Sequence, residues 1–153
     1  MHFRDIDRGE LIAVVGGIVL GLSLFLTWYS LGNVNTTLNH CKGPNTSCTG
    51  WQSLLILRYL LLVAAVAPLI LLYIIIRGHG LGWPRGEVTA LVALVALVLV
   101  LFRGPISKPG SPRTQIGLSV GWYVALIGAL LILAGSVYRS QETAARRKPP
   151  GVL

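Results

Sequence analysis

The side chains of this sequence that could do chemistry are few and far apart. Cys41 and Cys48 enclose Lys42-Gly43-Pro44-Asn45-Thr46-Ser47. Pro-Asn is turn chemistry, so the chain can reverse there and bring the two sulfurs together. A disulfide closing so short a loop stabilises by about 2–3 kcal/mol on the chain-entropy model, and it belongs on the oxidising side of a membrane. Arg58 is the one charge within residues 54–76, the most apolar run of the chain. A cation there is either a contact for a lipid headgroup or small anionic ligand, or a long side chain snorkelling toward headgroups and loop carbonyls. Glu10 and Glu87 border apolar runs, and pairing with Arg8 and Arg85 at a solvated edge is the expected fate of both. His79 stands in a glycine-rich turn without the companions a metal needs.

These residues exclude more chemistry than they support. The three histidines and one cysteine pair are scattered, so neither a metal site nor a cofactor is expected. No acid falls inside an apolar run, which removes a hydrolytic triad and the usual carboxylate of proton-coupled transport. The glycines of residues 77–86 lack the Lys-Ser/Thr of a phosphate-binding loop. One enzymatic reading survives, a membrane thiol–quinone oxidoreductase using Cys41 and Cys48. That chemistry uses a C-x-x-C pair to tune thiolate reactivity. Here the cysteines are further apart, and no second pair exists to relay electrons.

The elements that must position these groups are helices in lipid. The 153 residues are 54% hydrophobic and 12% charged, against roughly 25% charged in soluble domains. Apolar runs occupy residues 11–29, 54–76, 88–102 and 117–138. About 20 such residues cross a bilayer core as a helix. The third run reaches only roughly 22 Å and needs local thinning or snorkelling. The first outlasts the apolar core of a signal peptide, and no A-x-A-like site follows, so it reads as a retained helix.

The expected fold is all-α. A four-transmembrane-helix bundle spans residues 1–138, with a short disulfide-closed first extracytoplasmic loop, and a basic cytoplasmic tail without fixed structure follows over 139–153. Small residues mark helix-packing faces: Gly17 and Gly21, then Ala90, Ala93 and Ala96, then Gly117, Gly121, Gly128 and Gly135. Pro68 kinks the second helix. Trp28, Tyr29, Trp51, Trp83, Trp122 and Tyr123 are expected as interfacial anchors. Eight Lys and Arg accompany the termini and second loop, against Lys42, Arg103, Lys108 and Arg113 on the other side. Both termini are therefore expected in the cytoplasm of a multi-pass plasma-membrane protein, with the cysteine loop outside. The net charge of +8 reads as membrane-surface charge; without basic runs interleaved with aromatics, it does not indicate nucleic acid.

Three motifs add a resemblance. Ser23-Leu24-Phe25-Leu26-Thr27-Trp28-Tyr29 ends the first run, and Gly50-Trp51-Gln52 opens the second. After a Pro- and Arg-rich third loop comes Gly117-Leu118-Ser119-Val120-Gly121-Trp122-Tyr123. Together they resemble small four-helix membrane proteins of high-GC Gram-positive bacteria. The resemblance spans most of the chain, rests on interfacial motifs, and implies the four-helix fold without an activity. The layout is also similar to the claudin type, with four helices and a first outer loop holding a tryptophan and two cysteines. That loop is shorter than the family's, and its Gly-Leu-Trp motif is missing.

The expected function is a non-enzymatic accessory or scaffold subunit. It would pack through its small-residue faces against a larger membrane complex or a second copy, with membrane lipids as further partners. The alternatives are a lipid or small-anion binder or transport component using Arg58, and the thiol–quinone enzyme.

Overall fold

The computed structural model describes residues 8–78 and 85–146. Its long helices are α1 (Arg8–Ser23), α3 (Leu57–Ile76), α4 (Arg85–Leu101) and α5 (Val120–Arg146), with a single-turn α2 (Gly50–Ser53) before α3. α1 packs on α5 and α3, and α4 packs on the same two. Three stretches, Leu57–Ile76, Glu87–Ile106 and Val120–Glu142, are long and apolar enough to cross a membrane. Their outward faces expose Val63, Ile70, Leu91, Val98 and Ile127. A continuous apolar exterior of this kind is an aggregation hazard in water and is solvated by hydrocarbon.

Glycine sets how closely α1 approaches its neighbours. α1 and α5 run antiparallel, with Gly9 against Gly135 and Gly16 against Gly128; a Cβ at Gly16 would lie 2.7 Å from the Ile132 nitrogen. Gly17, about 100° further round the helix, serves α3 instead. A Cβ there would lie 2.5 Å from the Ala65 carbonyl oxygen and 2.8 Å from Pro68 Cγ. Pro68 sits inside α3 and supplies no N–H to the Ala64 carbonyl, so the ladder is broken where α1 comes closest.

The chain is not all-α. The segments joining α1 to α2 and α4 to α5 pair with each other in a three-stranded antiparallel sheet of order β4–β1–β5, formed by β1 (Thr27–Leu31), β4 (Thr46–Thr49) and β5 (Ile116–Leu118). A hairpin of β2 (Thr37–Leu38) and β3 (Cys41–Lys42) lies between β1 and β4 in the chain. α1 therefore stops at Ser23, short of the expected Tyr29. Tight turns follow, with Leu24, Phe25 and Leu26 N–H bonding to Gly21, Leu22 and Ser23 carbonyls. The freed carbonyls of the last turn find donors nearby: Trp28 Nε1 bonds to Ser23 O, Trp51 N to Leu24 O and Gly50 N to Leu26 O. A helix end so completely satisfied has no drive to continue.

Other boundaries move for similar reasons. α4 widens into a π-type turn, Phe102–Ile106, at Pro105, which cannot donate to Leu101 O. Gly117 lies in β5 rather than in the last helix, and that helix runs through Arg146, past the expected boundary at residue 138. His79 and Trp83 lie outside the described residues, as do Arg4, Arg147 and Lys148, three of the eight basic residues counted with the termini and second loop.

Candidate functional site

The sheet, the hairpin and the π-turn form one cap at the end of the bundle where α1 and α4 finish and α3 and α5 begin. Cys41 and Cys48 form a disulfide with a Cα–Cα distance of 6.0 Å, tying β3 to β4. Asn45, within the enclosed turn, takes φ 54°, a left-handed conformation that asparagine tolerates better than most residues. Both cysteines are buried. Ser111 and Thr37 exchange backbone hydrogen bonds at 3.0 and 3.1 Å. Lys108 Nζ donates to Ile116 O at 2.6 Å. The Thr37–Ser111 bonds and the β1–β5 pairing make the first and third loops one structure.

Two tryptophans seat the cap on the helices. The Trp28 ring is fully buried between Gly50 and Gly121. A Cβ at Gly50 would come to 2.7 Å from Trp28 Nε1, and one at Gly121 to 2.5 Å from its Cδ1. Trp122 Nε1 donates to Val100 O at 2.9 Å, and its ring lies against Gly104. The expected interfacial anchors Trp28, Tyr29 and Trp122 are thus core residues, and only Tyr123 of the second pair is exposed. The three interfacial motifs of the sequence converge here, which makes them the joinery of the cap. Tyr29 Oη donates to Arg103 O at 2.8 Å. Burial pushes its hydroxyl above the ordinary tyrosine range, against the lowering pull of the Arg103 charge.

Arg58 stands where the cap meets α3. Its Nη1 donates to Trp51 O at 3.1 Å and its Nη2 to Tyr59 Oη at 3.0 Å. The guanidinium carbon lies 4.8 Å from the centroids of both the Trp51 and Tyr59 rings. Phe25 stacks on Trp51 at 5.8 Å, and Trp51 meets Tyr59 edge-on at 6.1 Å. A loop carbonyl does not receive it here: the guanidinium ends on the Trp51 carbonyl of the single-turn α2.

No family model, curated protein or solved structure matches the chain.

The opposite end of the bundle holds a feature that local reading misplaced. Glu10 does not sit at a solvated edge with Arg8. It is 4% exposed, and its Oε1 meets Arg139 Nη2 at 2.6 Å across the α1–α5 seam. Thr89, Pro68 and Ser136 line the same small pocket, so all four long helices meet there. Glu87, by contrast, is exposed. The signal for Glu10–Arg139 was present: each residue borders an apolar run, and four helices packed alternately up and down bring the start of the first and the end of the last to one side.

The small-residue faces also have inward owners. Gly17, Ala93, Ala96, Gly121, Gly128 and Gly135 are buried within the chain. Gly21 and Ala90 are half-buried, and Gly21 faces Ala65 Cβ. Gly117 is exposed beside Ser30. The role of Gly50 and Gly104 as seats for the two indoles is not legible, because nothing in the local sequence links them to Trp28 and Trp122.

Proposed function

We propose that the chain is a four-helix integral protein of the plasma membrane, with both termini cytoplasmic, acting without catalysis as an accessory subunit of a larger membrane complex. α1, with its exposed Leu11, Val15, Ile18 and Leu22, is the fourth crossing. The disulfide supports placing the cap in an oxidising compartment, and the Lys/Arg count supports the opposite end as cytoplasmic.

The observation that carries the reading is the cap. Its first loop is cross-linked by the disulfide and hydrogen-bonded to the third, it is seated on all four helix ends, and it holds Lys42, Arg103, Lys108 and Arg113 with no acid in residues 24–56 or 102–119. A rigid surface of one sign suits docking to an acidic face, because no ordering entropy is lost and mismatched partners are repelled. The same charge disfavours cap-to-cap pairing of two copies. The small-residue faces, largely consumed internally, leave this surface as the better docking site. The thiol–quinone alternative needs an accessible sulfur, whereas both sulfurs here are in buried residues.

The test is gentle extraction followed by sizing and identification of co-purifying proteins. A complex that dissociates in Lys42→Glu/Arg113→Glu, two exposed positions, supports the proposal. A lone monomer overturns it.

A further inference from the structure

We infer that the Arg58 cluster is a seat for the phosphate of an anionic phospholipid in the leaflet on the cap side; this rests on the reading that the helices span a membrane.

The guanidinium is held but not neutralised. Its partners are a carbonyl, a phenol and two ring faces, all uncharged. The described acids, Glu10, Glu87 and Glu142, belong to the far ends of α1, α4 and α5, and no Asp or Glu occurs between Leu11 and Gly86. Arg58 is also the second residue of a 20-residue helix with no acid in its first turn and no side-chain cap. The positive pole of that helix opposes a cation at this position. Arginine cannot shed its charge, so a counter-charge from outside the chain relieves both effects. Nη1 and Nη2 each keep a second N–H beyond these bonds, while Nε is buried and has no hydrogen-bond partner among the described residues.

A phosphodiester matches what is offered. The guanidinium fork suits paired phosphate oxygens. Phe25 and Tyr59 of the cluster are 63% and 53% exposed, and Ile56, two residues before Arg58 in the chain, is 78% exposed; aromatic rings at this depth favour the headgroup–acyl boundary. Leu60, one residue further into the membrane, is exposed for an acyl chain. A free phosphate ion would find the charge but make no use of this apolar surround, which is why the lipid is the favoured source.

The experiment is native mass spectrometry of the full chain in nanodiscs containing phosphatidylglycerol and phosphatidylcholine. Wild type retains phosphatidylglycerol preferentially, excess inorganic phosphate does not displace it, and Arg58→Gln weakens retention roughly tenfold, the equivalent of one lost charge-assisted contact. Arg58→Lys, which keeps the charge and loses the fork, falls between them and decides the matter if Arg58→Gln does not fold. Equal retention of both lipids, displacement by phosphate, or full retention in whichever Arg58 variant folds overturns the inference. A chain that never enters the nanodisc refutes the membrane reading itself.

Discussion

Tyr29 carries a hydroxyl that must stay protonated in the cap. Its folded-state pKa lies above its unfolded value near 10, so its contribution is complete below pH 10 and declines as pH rises beyond that. Unfolding of the wild type should therefore show an alkaline limb above about pH 10, and Tyr29→Phe should flatten it while costing about 1 kcal/mol at neutral pH through the lost bond to Arg103 O. Chemical denaturation at several pH values reads both. Gly121 and Gly117 form a second contrast. Gly121→Ala drives a methyl into the Trp28 ring and the Thr27 carbonyl, an overpacking cost of about 1–3 kcal/mol. At Gly117 the nearest obstacle is Ser30 Oγ, a side chain that can rotate away, so Gly117→Ala should stay within about 0.5 kcal/mol. Thermal unfolding of the two variants in one detergent separates them.

Among elements, the α1–α5 seam combines glycine contacts with a buried ion pair. Glu10→Gln leaves Arg139 buried beside a neutral group and should cost about 3–5 kcal/mol, part of which Glu10→Gln/Arg139→Gln restores. A double-mutant cycle on unfolding free energy measures the coupling, and strict additivity would show that the pair does not act as a unit. The sequence announced these helices because desolvation leaves a long apolar run few alternatives. The proline at position 68 within its helix, the disulfide and the glycines of α1 and α5 were legible as well, since each is a local pattern; Gly117, a strand residue, was not. The strands were not. β1 pairs with β5 across most of the chain, and strands of two to five residues form only where such distant partners exist. Trp28 misled for another reason: an amphipathic indole suits an interface or a core, and only Gly50 and Gly121, closing on its ring, decide between them. Glu10 was read against its neighbour Arg8 because its partner lies at the other end of the described chain.

At the scale of the whole molecule, the cap and the bundle impose different tests. Cys41→Ser/Cys48→Ser should loosen the cap by about 2–3 kcal/mol, seen as faster amide exchange in β3 and β4, while the long helices keep their protection. Asn35→Cys and Gln141→Cys, both exposed and at opposite ends, test the orientation. A reagent that cannot cross the membrane should label the first in intact cells and the second only after permeabilisation; labelling of both from outside would overturn the topology. The strand order β4–β1–β5 also constrains biogenesis. β4 is synthesised before α3, but β5 leaves the ribosome only after α4, so one rim of β1 waits unpaired while the middle helices are being inserted. A nascent chain arrested before residue 116 would carry that rim as a raw edge, open to proteases and to pairing with a neighbour, until the final segment arrives to close it.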